Sequence, residues 1–268
     1  MSTNKLLKAY NQYERIKLTL AGCQKLETPD LVKFVSAYDL GSCISYSDIQ
    51  VEALEDRIKA EIKFYQQLNV PFKWHTLSTD APSSLGENLI RQGFVAEEST
   101  ALMVLDLDDV ALNDTSELME KPEDICVEVY DKEGIKDAIS VQKKVWGGDC
   151  ITQESHLLRL KEESPEQILI YVIYKDNQPV SSAWLMCHPD SPFGSIWAGN
   201  TLVQYRGRGF YSALLSKRIQ DAKTQGLKYL SIHASKMSQP IVAKHGFECI
   251  AESRSYLYTP ASIGLNRI

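Results

Sequence analysis

The 268-residue chain is most informative first in what it lacks. It has no excess of positive charge: 29 Lys and Arg stand against 35 Asp and Glu, a formal net charge of −6. That balance argues against a general nucleic-acid or anionic-membrane binder, so a bound anion needs a local positive site. No window approaches the roughly 18 to 20 consecutive apolar residues of a membrane span. The N-terminus, "MSTNKLLKAYNQYERIKL", is a charged amphipathic helix candidate without the apolar centre of a signal peptide. The six cysteines (Cys23, Cys43, Cys126, Cys150, Cys187, Cys249) contain no C-x-x-C pair, which suits a reducing, cytoplasmic setting. The five histidines show no i, i+4 pair and no paired cysteines nearby, so no metal site is expected. G-x-x-x-x-G-K-[ST], a G-x-G-x-x-G after a first strand, and G-x-S-x-G are all missing. Their absence argues against a P-loop kinase, a Rossmann dehydrogenase and an ester hydrolase.

What is present is an α/β pattern that repeats in outline. Val51, Leu54, Ile58, Ile62, Tyr65 and Leu68 recur at three- and four-residue spacing and predict a long helix with Glu55 and Lys59 on its polar side. "PFKWHTL" (71–77) then predicts a strand, 83–92 a helix stopped by Gly93, and 94–107 strand. The second half gives a helix over 207–225, a strand over 227–235, a helix over 239–245 stopped by Gly246, and strand over 247–258. Both short helices end in Gly-Phe, where glycine suits the left-handed position and phenylalanine turns back into the core. The likeness reads either as an internal repeat or as ordinary punctuation of a helix end. Residues 107–124 are acidic and poor in large apolar side chains, as a surface linker is. After them come a strand at 126–130, helices at 132–146 and 152–163, and strands at 167–174, 178–187 and 194–203, with Lys175, Asp176 and Asn177 in a hairpin turn.

The stretch "NTLVQYRGRGFYSALL" (200–215) places two arginines and two glycines where a strand gives way to a helix. Backbone N–H groups at a helix start lack helical acceptors, and together with the dipole they attract anions. Glycine lets a phosphate come close, and arginine offers forked donors to its oxygens. The arrangement suits a pyrophosphate, although "RGRG" taken alone is equally an exposed basic loop.

From "GSIWAGNTLVQYRGRGFYSALL" to "KYLSIHASKMSQPIVAKHGF" the chain resembles the GNAT superfamily of N-acyltransferases, with a strand, an [R/Q]-x-x-G-x-[G/A] loop, a helix, a strand and a short helix ending in Gly-Phe. Two registers fit. Gln204-x-x-Gly207-x-Gly209 is literal, while Arg206-x-x-Gly209-x-Tyr211 aligns both "RGRG" and "SALL" and is preferred. Tyr211 then stands where the family has a small residue, a departure that should crowd the pyrophosphate turn or redirect a ring toward the cofactor. The resemblance implies acetyl-CoA as co-substrate, its pantetheine arm beside the backbone of Thr201, Leu202 and Val203, and its pyrophosphate wrapped by Arg206, Gly207, Arg208, Gly209, Phe210 and Tyr211. Ser235 falls where the family often has an asparagine on the cofactor. The first half resembles the degenerate lobe of two-lobed GNAT proteins, without the arginine-glycine loop. The implied organisation is a tandem α/β protein with mixed sheets: a degenerate lobe (1–110), a linker (111–124) and an acetyltransferase domain (125–268).

Transfer of an acetyl group to an amine needs a polarised thioester carbonyl, a deprotonated amine and a proton for the leaving thiolate. The family's tyrosine proton donor, five residues before the Phe of Gly-Phe, falls on Val242 here. His233 shares a strand face with Ser235 by period two and is the catalytic candidate; a strand histidine also reads as a structural hydrogen-bonder. Tyr211 reads as reaching the cofactor or as packing, and His188 and Asp190 in "CHPDSPFG" as a turn rather than a base. Trp146, Trp184 and Trp197 read as core. The resemblance thus implies an acetyl-CoA-dependent N-acetyltransferase acting on a small-molecule amine, without metal, nucleic acid or membrane. Its alternatives are a CoA-binding module that lost catalysis and an enzyme using another acyl-CoA.

Overall fold

A computed structural model describes residues 2–38, 41–110, 125–148 and 150–260. The expected linker 111–124 lies outside the described residues. In chain order the first half contains helix α1 (Thr3–Tyr10), strands β1 (Cys23–Thr28), β2 (Leu31–Ser36) and β3 (Cys43–Ser47), helix α2 (Leu54–Leu68), strand β4 (Phe72–Leu77), helix α3 (Leu85–Arg91), and strands β5 (Val95–Ala96) and β6 (Thr100–Asp106). The second half contains β7 (Ile125–Val129), α4 (Lys132–Trp146), α5 (Ile151–Glu163), β8 (Ile168–Lys175), β9 (Gln178–Cys187), β10 (Phe193–Thr201), α6 (Phe210–Thr224), β11 (Tyr229–Ala234), α7 (Gln239–Lys244) and β12 (Glu248–Tyr258). The chain folds as two compact units, and neither is one continuous segment. The N-terminal unit holds residues 2–102, 233–236 and 249–260; the C-terminal unit holds Met103–Ile232 and Met237–Glu248.

In the N-terminal unit β1, β2 and β3 run antiparallel, β3 and β4 are parallel, and β4 pairs antiparallel with β12. The last strand of the chain therefore returns to lie beside β4, with Ser255 opposite His75 and Tyr256 opposite Trp74. Helix α2 packs Leu54, Ile58 and Tyr65 onto that sheet beside Phe72, Trp74, Leu89 and Phe94. The ends of the expected apolar stripe, Val51 and Leu68, are exposed, because Val51 precedes the helix in a short 3₁₀ turn and Leu68 closes its last turn. Asn69, left-handed at φ 54, terminates the helix.

Helix α1 runs directly into a wider π turn, Asn11–Ile16, that seats Arg15 in the interior. The guanidinium donates to both carboxylate oxygens of Asp80 at 2.7 and 2.6 Å, to the Ser45 carbonyl at 2.8 Å and to Asn11 Oδ1 at 2.9 Å. Asp80 also accepts the N–H of Leu77 at 2.9 Å. This pair ties the N-terminal helical segment to β3 and to the end of β4.

The C-terminal unit is built on β7, β8, β9 and β10 in antiparallel order, with β11 parallel to β10. Helices α4 and α5 cover one face of the sheet with Ile135, Ile139, Leu157 and Leu160 against Ile168, Ile170, Val172 and Trp184. The β8–β9 hairpin turns on Asp176 and Asn177, both left-handed at φ 50 and 60, as a two-residue I′ turn requires. Gly93 and Gly246 take φ 92 and 89, and Phe94 and Phe247 are buried behind them.

Replacing Asp80 by Ala leaves the Arg15 cation buried without its partner. The expected loss is about 3–5 kcal/mol of stability, read as a lower urea midpoint at unchanged slope.

Candidate active site

The site begins where two parallel strands part. β10 and β11 are paired only through Phe193–Tyr229, Gly194–Leu230 and Ser195–Ser231, yet β10 continues to Thr201 and β11 to Ala234. On its other side β10 stays paired with β9 to Thr201, with a bulge between Trp197 and Asn200 where Ala198 takes φ 49. The N–H of Leu202 donates to the Val180 carbonyl at 3.0 Å. By strand alternation the amide of Thr201, the last residue of β10, points the opposite way, to the open side. Thr201 and Leu202 are buried and Val203 is exposed, so the sequence-predicted strand segment runs from the core to the rim of the gap.

Immediately after it, Val203–Tyr205 form a 3₁₀ turn and Arg206 is extended. Gly207 and Gly209 both take left-handed conformations, φ 73 and 84, and a Cβ at either would meet nothing within 4 Å. Glycine is needed there for the backbone geometry, and the space above the turn is open. Helix α6 starts at Phe210 rather than near 207, because left-handed Gly209 is its N-cap. No side chain caps it and its first turn has no acidic residue. The first bond to the cap is Ala213 N–H to Gly209 O at 2.9 Å, so the preceding amides have no helical acceptor. Arg206 Nε donates to the Thr201 carbonyl at 3.3 Å, and the Arg208 guanidinium lies 5.2 Å from the Tyr205 ring. Both arginines are exposed beside the turn.

Tyr211 does not crowd this turn. Its ring lies on Gly199, where a Cβ would sit 2.5 Å from Cε2, and its hydroxyl is hydrogen-bonded to Ser238. Two tryptophans expected in the core are exposed: Trp146 and Trp197, with only Trp184 buried. Trp197 and Asn200 lie opposite Trp184 and Ser182 on β9, and the bulge brings both to the α4 side of the sheet. Trp146 Nε1 donates to Asn200 Oδ1 at 2.6 Å. Val242, at the family's tyrosine position, is wholly buried. Asp190 is left-handed at φ 60 and Ser191 N–H donates to the His188 carbonyl, so 188–191 is a turn.

His233 groups with residues of the N-terminal unit. Its Nε2 and Tyr10 Oη share a hydrogen bond of 3.0 Å, and His75 Nδ1 and Ser255 Oγ share one of 2.9 Å. Burial, followed by the neighbouring His233, Lys73 and Arg15, pushes His75 down to about 3. Burial and then Arg15 also lower His233, although its exposed edge keeps part of its hydration and limits the shift. Both imidazoles are therefore neutral at pH 7. Ser235, half-buried, follows directly after β11. Sequence reading missed Tyr10, Arg15, His75 and Asp80. Tyr10 and Arg15 were visible only as parts of an amphipathic segment, and the other two gave no local signal. Among the described residues no cluster of three His, Cys, Asp or Glu is arranged to hold a metal, and no helix is long and apolar enough to cross a membrane.

No family model matches this chain, and no curated protein matches it by sequence. Solved structures match it by fold. A GCN5-related N-acetyltransferase from Kribbella flavida superposes with a TM-score of 0.67 at 12% identity, over 98% of this chain and 96% of that one. A tandem GNAT protein from the clavulanic acid biosynthesis pathway gives 0.59 at 7% identity, over 90% and 85%. A GCN5-related N-acetyltransferase from Sphaerobacter thermophilus gives 0.59 at 12% identity, over 96% and 85%. Likeness at such low identity speaks for architecture, and on that ground the chain has the mixed α/β fold of the GNAT superfamily.

Proposed function

We propose that this chain is an acetyl-CoA-dependent N-acetyltransferase whose acceptor is the primary amine of a small molecule. The observation that carries the reading is the parting of β10 from β11 immediately ahead of an uncapped, arginine-flanked helix start. Two chemical needs of a thioester carrier are answered there. The open edge of β10 offers backbone groups to the amide-bearing arm, and the turn at 206–211 offers amides, a helix dipole and two guanidinium groups to the diphosphate. In this reading a backbone amide of the 201–203 segment, that of Thr201 on the open edge, polarises the thioester carbonyl, while Leu202 holds the strand to β9. Ser235 lies along the far arm. In this reading the acetyltransferase domain expected at 125–268 binds the cofactor, since the arginine-glycine turn lies within it and residues 1–110 contain none.

His233 serves as the base that takes the proton of the incoming ammonium. It is neutral at pH 7, accessible at one edge and held by Tyr10, so its orientation is fixed before substrate arrives. Holding amine and thioester side by side supplies much of the remaining rate enhancement.

A second reading has one observation in its favour. Val242 is apolar and buried where the family has its proton donor, as in a module that binds CoA without turning it over. Calorimetry with acetyl-CoA and a thiol-release assay over an amine panel separate the two. Binding with turnover of at least one amine supports the enzyme, binding without turnover supports the module, and no binding removes both.

The double variant Arg206→Ala, Gly209→Val is expected to lose acetyl-CoA binding; because valine strains left-handed Gly209, Arg206→Ala with Arg208→Ala is the companion whose circular dichroism stays native, and retained affinity in that folded protein would put the diphosphate elsewhere. For His233 the sign is set by the lowered pKa. Activity requires the neutral ring, so it persists as pH falls to the ordinary histidine value of about 6.5 and is lost only below it. His233→Gln should remove that acid limb and most of the rate. A limb at the ordinary histidine value, or one that survives in the variant, would assign the base to another group.

A further inference from the structure

With no tyrosine at 242, the leaving sulfur needs another proton source, and one side chain lies across the gap between the parted strands. Tyr211 is the second residue of α6, and its ring rests on Gly199 in the bulged part of β10. A hydrogen bond to Ser238, in the segment that follows β11, fixes the hydroxyl at the other end. The phenol thus reaches from one parted strand to the continuation of the other, and it is half-buried rather than sealed in the core. We propose that Tyr211 protonates the departing CoA sulfur, an assignment that rests on the acyl-transfer reading above.

A second observation supports it independently. Arg218 lies two helical turns further along the same face of α6 and is wholly buried. Its Nε donates to the Leu214 carbonyl at 3.0 Å and its Nη1 to the Trp197 carbonyl at 3.3 Å, while Nη2 has no partner among the described residues. No carboxylate pairs with it there. Burial lowers its pKa to about 10, and the groups whose ionised forms would favour its charge are Tyr211, then Tyr171 and Cys126. A buried cation without a counter-ion is costly. A phenolate formed beside it during each turnover supplies the missing negative charge when it is needed. Burial holds the Tyr211 phenol above its usual range, and Arg218 and the Ser238 hydroxyl both act in the opposite direction, easing release of the proton. Gly199 is part of the same arrangement, since any side chain there would push the ring away.

The step balances without a further reactant. The amine lone pair forms the C–N bond to the thioester carbonyl carbon, and the C–S bond breaks with its electron pair going to sulfur. Sulfur takes the proton of Tyr211 Oη. The phenolate recovers a proton from solvent, to which the nitrogen's own proton has been released through His233. Tyr211 is a catalytic residue in this scheme; Ser238, Gly199 and Arg218 are positioning residues.

The test uses the full chain, acetyl-CoA, and the amine that the wild-type protein acetylates fastest. Tyr211→Phe keeps the ring on Gly199 and removes only the hydroxyl. It is expected to bind acetyl-CoA as the wild type does while kcat falls by about 100-fold or more. Incorporation of fluorinated tyrosines at 211, which preserve shape and change acidity, should make kcat track the acidity of the phenol, a response that a packing role would not give. These also serve if Tyr211→Phe fails to fold. Undiminished kcat in a folded Tyr211→Phe, or a rate indifferent to fluorination, overturns the proposal. Faster acetyl-CoA uptake by Tyr211→Phe with full kcat also overturns it, by making the phenol a bar across the gap and not an acid. If the wild type acetylates no amine, the functional reading fails first; if both proteins acetylate equally, only the role of Tyr211 fails.

Discussion

Backbone amides and carbonyls that leave a sheet must find other partners, and the C-terminal unit is organised around one place where they do not find them within the sheet. Three rungs hold β11 to β10, and after Ser195 and Ser231 the strands run on without each other. A bulge, a left-handed Ala198 and a continued hold on β9 keep the exposed edge of β10 in place despite the lost neighbour. The arginine-glycine turn follows within a few residues, so an open strand edge and an uncapped helix start lie next to each other in the chain. Either feature alone is common. Their adjacency is what gives the region its chemical character.

The glycines of that turn were legible in the sequence because a left-handed residue at a strand–helix junction leaves a local signature, and Gly207 and Gly209 have that geometry. Helix lengths, the Gly-Phe ends and the β8–β9 turn were legible for the same reason: each is decided by a few neighbouring residues. What could not be read depends on distant partners. That β12 pairs with β4 follows from sheet geometry 180 residues apart in sequence, and nothing within 247–258 points to it. The exposure of Trp146 and Trp197 has a similar cause. Their runs are apolar, but Trp197 lies at the bulge of β10, past the last rung to β11, and Trp146 projects from the last turn of α4.

The candidate base illustrates the same limit. Period two put His233 and Ser235 on one face, but the strand ends at Ala234, so the periodicity does not extend to Ser235. The features that define His233 are a tyrosine 223 residues earlier in the chain and a neighbouring second histidine on β4. Tyr211 shows the converse. The sequence marked it as a departure from the family pattern, but its contacts with Gly199 and Ser238 depend on residues that did not stand out alone.

The return of the last strand to β4 has a consequence for how this protein is divided. Since β12 lies beside β4, a fragment ending at residue 110 would expose the hydrogen-bonding edge of β4 and strip Tyr256 from the core around Phe72 and Trp74. The complementary fragment would carry an eleven-residue strand with no sheet to join. Gene fusions, split reporters and limited proteolysis would each meet the same obstacle: a cut between residues 110 and 125 does not separate two self-sufficient pieces.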